Sequence, residues 1–129
     1  MRSSSKWIVS KFGGTSVSSA ANWTRIARVL TEHLDAGRRP VVVHSAFSGV
    51  TNRLEDVVRV ARSGESADSV VDDIVTTHEE KAREMHLEFD DVAASQLQRL
   101  RELATHRGDA MTASVEAEIL SMGERLSTR

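Results

Sequence analysis

The sequence predicts an α/β fold, with a parallel βαβ start followed by a wholly helical stretch. Three observations carry this. Trp7-Ile8-Val9 is a short apolar run that leads to Gly13-Gly14, the size of a buried strand stopped by a tight turn. Trp23, Ile26, Ala27, Leu30 and Leu34 recur at helical spacing, and the β-branched run Val41-Val42-Val43 follows Pro40. From Gly64 onward the apolar residues keep helical periodicity alone.

In chain order, Ser18, Ser19 and Asn22 offer N-caps for a first helix over 20–36. Gly37 is a natural stop for it, and Arg38-Arg39-Pro40 returns the chain to extended backbone. Val41–Val43 shows no polar alternation, which predicts burial on both faces, as in a parallel sheet. A second small, hydroxyl-rich turn, Ser45–Asn52, opens a helix whose inner face is Leu54, Val57, Val58 and Ala61. The next helix is expected from Ser66 to about Phe89, with Val70, Val71, Ile74, Val75, Ala82, Met85 and Phe89 as its stripe. Asp90-Asp91 then caps a helix with Val92, Leu97, Leu100, Leu103 and Ala104 inside, and Arg107-Gly108-Asp109 ends it. A last helix runs from about Thr112 with Val115, Ile119, Leu120 and Leu126 inward. The chain stops within that pattern, and two strands are few for a stable parallel sheet. The expectation is the front piece of a larger domain.

Bulk properties narrow the function. The 129 residues are 40% apolar, enough for a packed core, and carry a net charge of −2. With pI near 6.2 and scattered Lys and Arg, no basic footprint for nucleic acid is present. The absence of cysteine excludes disulfides, thiol catalysis and cysteine zinc sites, and agrees with a cytoplasmic location. No apolar run approaches the roughly 18 residues of a membrane span. The start Met1–Lys6 is expected to fray, since the apolar run after it is too short for a signal sequence. His33, His78, His86 and His106 have no metal-ligand spacing, and Asp72-Asp73 and Glu79-Glu80 look like solvated helix faces.

Two loops suggest chemistry. In Lys11-Phe12-Gly13-Gly14-Thr15-Ser16 a strand ends in glycines at the mouth of a helix. Glycine lets main-chain N–H groups approach an anion, and the helix dipole favours negative charge. Lys11 adds a mobile point charge for phosphate. The pattern is neither a Walker loop nor a dinucleotide fingerprint, and a plain strand-to-helix turn fits it equally well. Ligands of open α/β sheets bind beyond the carboxyl ends of the strands. If the two strands are parallel neighbours, the Lys11–Thr15 and Ser45–Thr51 loops therefore open on one edge. Taken alone, Ser48 or Thr51 reads more readily as a helix cap than as a ligand contact. Gly123 lies inside a helical pattern, where it costs about 1 kcal/mol against alanine, which points to a close approach by backbone or ligand. Glu124 beside it is by default a solvated glutamate.

Together these motifs resemble a known family. Lys11-Phe12-Gly13-Gly14-Thr15-Ser16-Val17 resembles the N-terminal signature of aspartate kinases, within the amino-acid kinase family. Ser45-Ala46-Phe47-Ser48-Gly49-Val50-Thr51-Asn52 resembles that family's second glycine-bearing loop, and Ser121-Met122-Gly123-Glu124-Arg125-Leu126-Ser127 its S-x-G-E-x-x-S helix. The resemblance implies a three-layer αβα amino-acid kinase fold, with residues 1–129 as its N-terminal, aspartate-binding portion. The nucleotide-binding half and regulatory ACT domains would then be absent, and the fragment alone inactive. It implies ATP-dependent phosphorylation of the L-aspartate side-chain carboxylate to 4-phospho-L-aspartate, the entry to lysine, threonine, methionine and isoleucine synthesis. ATP, with Mg2+ held mainly by its phosphates, and L-aspartate are the implied cofactors and partners, and a homo-oligomer the implied parent. Lys11 would neutralise the transferred phosphoryl group. Gly13 and Gly14 would offer it N–H groups, with Thr15 and Ser16 lining the pocket. Ser45, Ala46 and Thr51 would hold the aspartate, and Glu124 would pair with its ammonium group. Phe47 stands where methionine is common in the family, and His44 where an aliphatic residue usually ends the strand. A kinase for glutamate, acetylglutamate, carbamate or a nucleotide, and a non-catalytic α/β module, stay open as alternatives.

Overall fold

The structure, a computed structural model, describes residues 6–129; of the Met1–Lys6 start expected to fray, all but Lys6 lies outside them. β1 (Trp7–Phe12) and β2 (Arg39–His44) pair in parallel, Trp7 opposite Arg39 and Phe12 opposite His44. The crossover between them holds α1 (Gly14–Val17) and α2 (Ala20–Asp35). Then come α3 (Val50–Arg62), α4 (Asp68–Glu84), α5 (Asp91–Ala104) and α6 (Ala113–Ser127), with a short 3-10 turn at Gly108–Ala110. This is the α/β start and helical continuation that the sequence predicts.

Local chemistry sets the boundaries. Ser19, Asp90 and Thr112 each accept an N–H bond from the third residue on, at 3.2, 2.7 and 3.4 Å, and so start α2, α5 and α6. Gly37, at φ +71°, turns the chain out of α2. Its amide reaches the Leu34 carbonyl, and that of Arg38 the His33 carbonyl, which satisfies carbonyls the helix leaves open.

Three expectations are corrected. The sheet is not buried on both faces: Val41, Val42 and Val43 are 40%, 38% and 45% exposed, and Val9 is 69% exposed. Among the described residues β2 has β1 as its only strand neighbour, and a β-branched run specifies a strand without specifying what covers it. The stripe of α2 is engaged through Ile26, Trp23 and Leu30, but Ala27 and Leu34 stay exposed. α4 ends at Glu84 instead of reaching Phe89, because His86 takes φ +55° and the Leu87 amide bonds back to the Ala82 carbonyl. Phe89, and Val92 on α5, expected inside, are 36% and 39% exposed.

The packing centre lies among the helices. Leu54 of α3, Ile74 of α4, Leu100 and Leu103 of α5, and Ile119 and Met122 of α6 are sealed from water. Burying such a side chain contributes about 1.5–3 kcal/mol. At the surface, Arg53–Asp73 joins α3 to α4 and Arg101–Asp72 joins α5 to α4, while Arg99–Glu118 and Arg62–Glu116 hold α6. Asp72 and Asp73 are solvated as expected, but each faces a cation on a neighbouring helix. Exposed pairs of this kind add little stability.

His78 is the one histidine inside the core. Its Nδ1 lies 2.8 Å from the Ile74 carbonyl, so Nδ1 carries the proton, and its ring packs at 5.1 Å against Phe47. Nε2 has no partner among the described residues. Burial lowers the imidazole pKa, and the Ile74 bond opposes this only partly. The folded state therefore binds a proton less readily than the unfolded chain. Stability should fall as pH drops below the unfolded value of about 6.5 and level off beneath the lowered folded value. Urea unfolding across this range should show that slope, and His78→Phe should flatten it; an unchanged slope would assign it elsewhere.

Candidate functional site

Parallel pairing brings the carboxyl ends of β1 and β2 to one edge, as the loop pattern requires. The Ser45 amide donates to the Phe12 carbonyl at 3.2 Å, extending the ladder one residue beyond β2. Ala46 then lies between two glycines from distant parts of the chain. A Cβ on Gly14 would stand 3.0 Å from the Ala46 carbonyl oxygen. A Cβ on Gly123 would stand 2.7 Å from the Ala46 Cβ. The close approach that Gly123 permits is thus to the methyl group of Ala46, and all three motifs meet at this residue.

Hydroxyl groups fasten the junction. Ser18 Oγ donates to the Gly14 carbonyl and accepts the Ser48 N–H at 2.8 Å, tying the first loop to the second. Ser127 Oγ reaches the Ser45 carbonyl at 3.0 Å, tying α6 to the second loop. His44 Nδ1 lies 3.2 Å from the same carbonyl, and its ring meets Trp23 edge-on at 5.6 Å. Trp23 Nε1 in turn donates to the Val17 carbonyl at the end of α1. These roles of Ser18, His44 and Trp23 were not legible from spacing. Ser127 had one signal, its place as the last residue of S-x-G-E-x-x-S.

Around this junction the candidate side chains are left uncommitted. Lys11, at the end of β1, and Glu124, one residue past Gly123, are both exposed, and neither forms an ion pair among the described residues. A Cβ on Gly13 would meet nothing within 4 Å. Gly13 is the N-cap of α1, and the amides of Gly14, Thr15 and Ser16 occupy its first turn, where no carbonyl of the helix can accept them. Thr15 is exposed and Ser16 half-buried. The capping alternative for the second loop is overturned. The N-cap of α3 is Gly49, at φ +84°, a left-handed angle that glycine adopts freely but with no side chain to cap the helix. The hydroxyls of half-buried Ser45 and exposed Thr51 make no hydrogen bond among the described residues. Ala46 is buried, with its methyl against Gly123, so it offers a ligand only its main chain.

A cavity of about 540 Å³ reaches the junction through Trp23, His44, Phe47 and Ser127 and extends to Leu30, Met85 and Phe89, but none of the ligand candidates borders it. Its walls are mostly apolar. The strand edge and the adjoining turn of α6 thus carry hydroxyls, amides, an ammonium and a carboxylate without partners among the described residues.

Comparison with known proteins agrees in sequence and shape. The sequence profile of the amino acid kinase family matches residues 6–129. The aspartokinase of Chlamydia trachomatis is 32% identical over 123 residues, which cover 94% of this chain and 26% of that protein. The crystal structure of Escherichia coli aspartokinase III with lysine and aspartate superposes with a TM-score of 0.76 at 30% identity, covering 96% of this chain and 27% of that one. The same enzyme with aspartate and ADP gives 0.70 at 32% identity, covering 93% and 26%. The chain therefore spans about a quarter of the length of these relatives. On its profile match, its shared fold and its three converging motifs, the chain belongs to the amino acid kinase family.

Proposed function

We propose that this chain is the N-terminal, aspartate-side portion of an aspartate kinase. The observation that carries this is the packing of three motif segments around Ala46, with the side chains of Lys11, Ser45, Thr51 and Glu124 left without partners among the described residues. A solved relative was captured with aspartate and ADP, which supports the same pairing of ligands here. Ser45, Thr51 and the Ala46 main chain hold the substrate, and Glu124 pairs with its ammonium group. The side-chain carboxylate attacks the γ-phosphorus of ATP, a P–O bond forms as the bond to ADP breaks, and 4-phospho-L-aspartate results. Lys11 and the amides at Gly13 and Gly14 neutralise the phosphoryl oxygens, beside the hydroxyls of Thr15 and Ser16. Such transfers depend on positioning and charge neutralisation more than on covalent help. Mg2+ carried on the ATP phosphates would supply further neutralisation of the same charge. The nucleotide itself is held by sequence beyond these 129 residues, so the isolated chain has no turnover.

The test is ADP formation by the complete enzyme with Mg-ATP across a panel of aspartate, glutamate, acetylglutamate, carbamate and nucleotides. Aspartate-dependent turnover is expected, and its absence with turnover on another acceptor would move the assignment within the family. In the same assay Glu124→Gln should raise the aspartate KM about 10- to 100-fold, the worth of one charged hydrogen bond, with kcat changed only a few-fold. A fall in kcat at constant KM would give Glu124 a different role.

A further inference from the structure

Two groups proposed to hold one small substrate sit on different elements, Ser45 beyond β2 and Glu124 on α6. A ligand that bridges them feels any slip of one element past the other. The Gly123–Ala46 contact limits how closely α6 approaches the loop, but van der Waals contact does not stop sliding. The polar tie across this seam is Ser127. Its Oγ lies 3.0 Å from the Ser45 carbonyl and 3.2 Å from the Glu124 carbonyl, the main-chain oxygens of the two substrate residues themselves. It also lies 3.3 Å from His44 Nδ1. Carbonyls only accept, so Ser127 O–H and His44 Nδ1–H are the donors that share this cluster. The His44 ring is braced by Trp23, and Ser127 is buried.

Building on the aspartate kinase assignment, we propose that Ser127 is a positioning residue, which touches no substrate but fixes the spacing between Ser45 and Glu124. The competing role is a serine that merely bonds back to its own helix at Glu124, as helical serines often do. Its loss would leave the seam unmoved.

The experiment compares Ser127→Ala and Ser127→Thr in the complete enzyme, with KM for aspartate and for ATP measured separately, thermal unfolding, and amide hydrogen exchange over residues 45–49. Ser127→Ala should raise the aspartate KM about five- to tenfold, the effect of one neutral hydrogen bond, with the ATP KM held. Exchange over residues 45–49 should quicken, and Ser127→Thr, which keeps the hydroxyl, should restore both. An aspartate KM and exchange rates unchanged in Ser127→Ala would overturn the proposal while leaving the kinase assignment intact. A joint loss of both KM values and of thermal stability, not restored by threonine, would make Ser127 structural and overturn it equally. Wild-type enzyme without aspartate-dependent turnover would instead sink the assignment. Exchange would then still decide whether Ser127 ties α6 to the loop.

Discussion

Replacing Lys11 by alanine should lower kcat of the complete enzyme about 10²- to 10³-fold, the loss expected when one preorganised charge-stabilising group is removed. The aspartate KM and the unfolding midpoint should stay near wild type. Lys11 is exposed at the end of β1, opposite Val43, and forms no ion pair among the described residues. Its removal therefore strands no buried partner. Its charge matters only when negative charge is brought to the strand edge, and in phosphoryl transfer that charge is spread over the γ-phosphoryl oxygens. A lysine ammonium answers this as a compact, mobile point charge, whereas arginine presents a planar fork of fixed geometry. Lys11→Arg should accordingly recover only part of the rate. Steady-state kinetics and a denaturant curve on the same preparations decide the matter. A loss of folding parallel to the loss of rate would make Lys11 a structural residue.

Much of this was legible in the chain because it depends on local chemistry. Ser19, Asp90 and Thr112 cap helices where a hydroxyl or carboxylate precedes an apolar stripe, and Gly37 stops α2 where only a left-handed residue continues the path. The two glycine-bearing loops share an edge because the strands pair in parallel. What failed depends on neighbours distant in sequence or on single backbone angles that a residue pattern does not report. The exposure of Val41–Val43 reflects what lies beside the sheet, which a run of valines cannot report. The early end of α4 turns on the single backbone angle of His86, inside a stripe whose period continues past it. Thr51 looked like a cap until Gly49 took that role. For the site, the two loop patterns and the family resemblance supplied the candidates, but the junction at Ala46 is a tertiary fact. Gly123 signalled a close approach without naming its partner, and Ser18 signalled nothing beyond a helix start.

That junction makes the second large effect. In an exposed helix interior, Gly→Ala gains about 1 kcal/mol because alanine restricts the unfolded chain and favours the helix. At Gly123 the sign should reverse. The new Cβ would lie 2.7 Å from the Ala46 Cβ, about 1 Å inside the roughly 3.5–4.0 Å optimum between carbon atoms. Relief requires α6 or the Ser45–Gly49 loop to move, because Ala46 has no flexible end to swing away. Overpacking of this kind costs about 1–3 kcal/mol, which outweighs the helical gain. Gly123→Ala should therefore destabilise the protein on balance and, by pushing the loop from Glu124, raise the aspartate KM. The contacts it would make with Leu54 Cδ1 and Val50 Cγ1, at 3.4 and 3.5 Å, need little adjustment. Only the Ala46 contact is severe, so pairing Gly123→Ala with Ala46→Gly should recover much of the loss. A double-mutant cycle should then show a favourable coupling of about 0.5–3 kcal/mol between the two sites. If Gly123→Ala alone stabilised the protein as it would an exposed helix, the junction would be looser than this geometry makes it. Additive losses in the double variant would place the clash elsewhere than at Ala46.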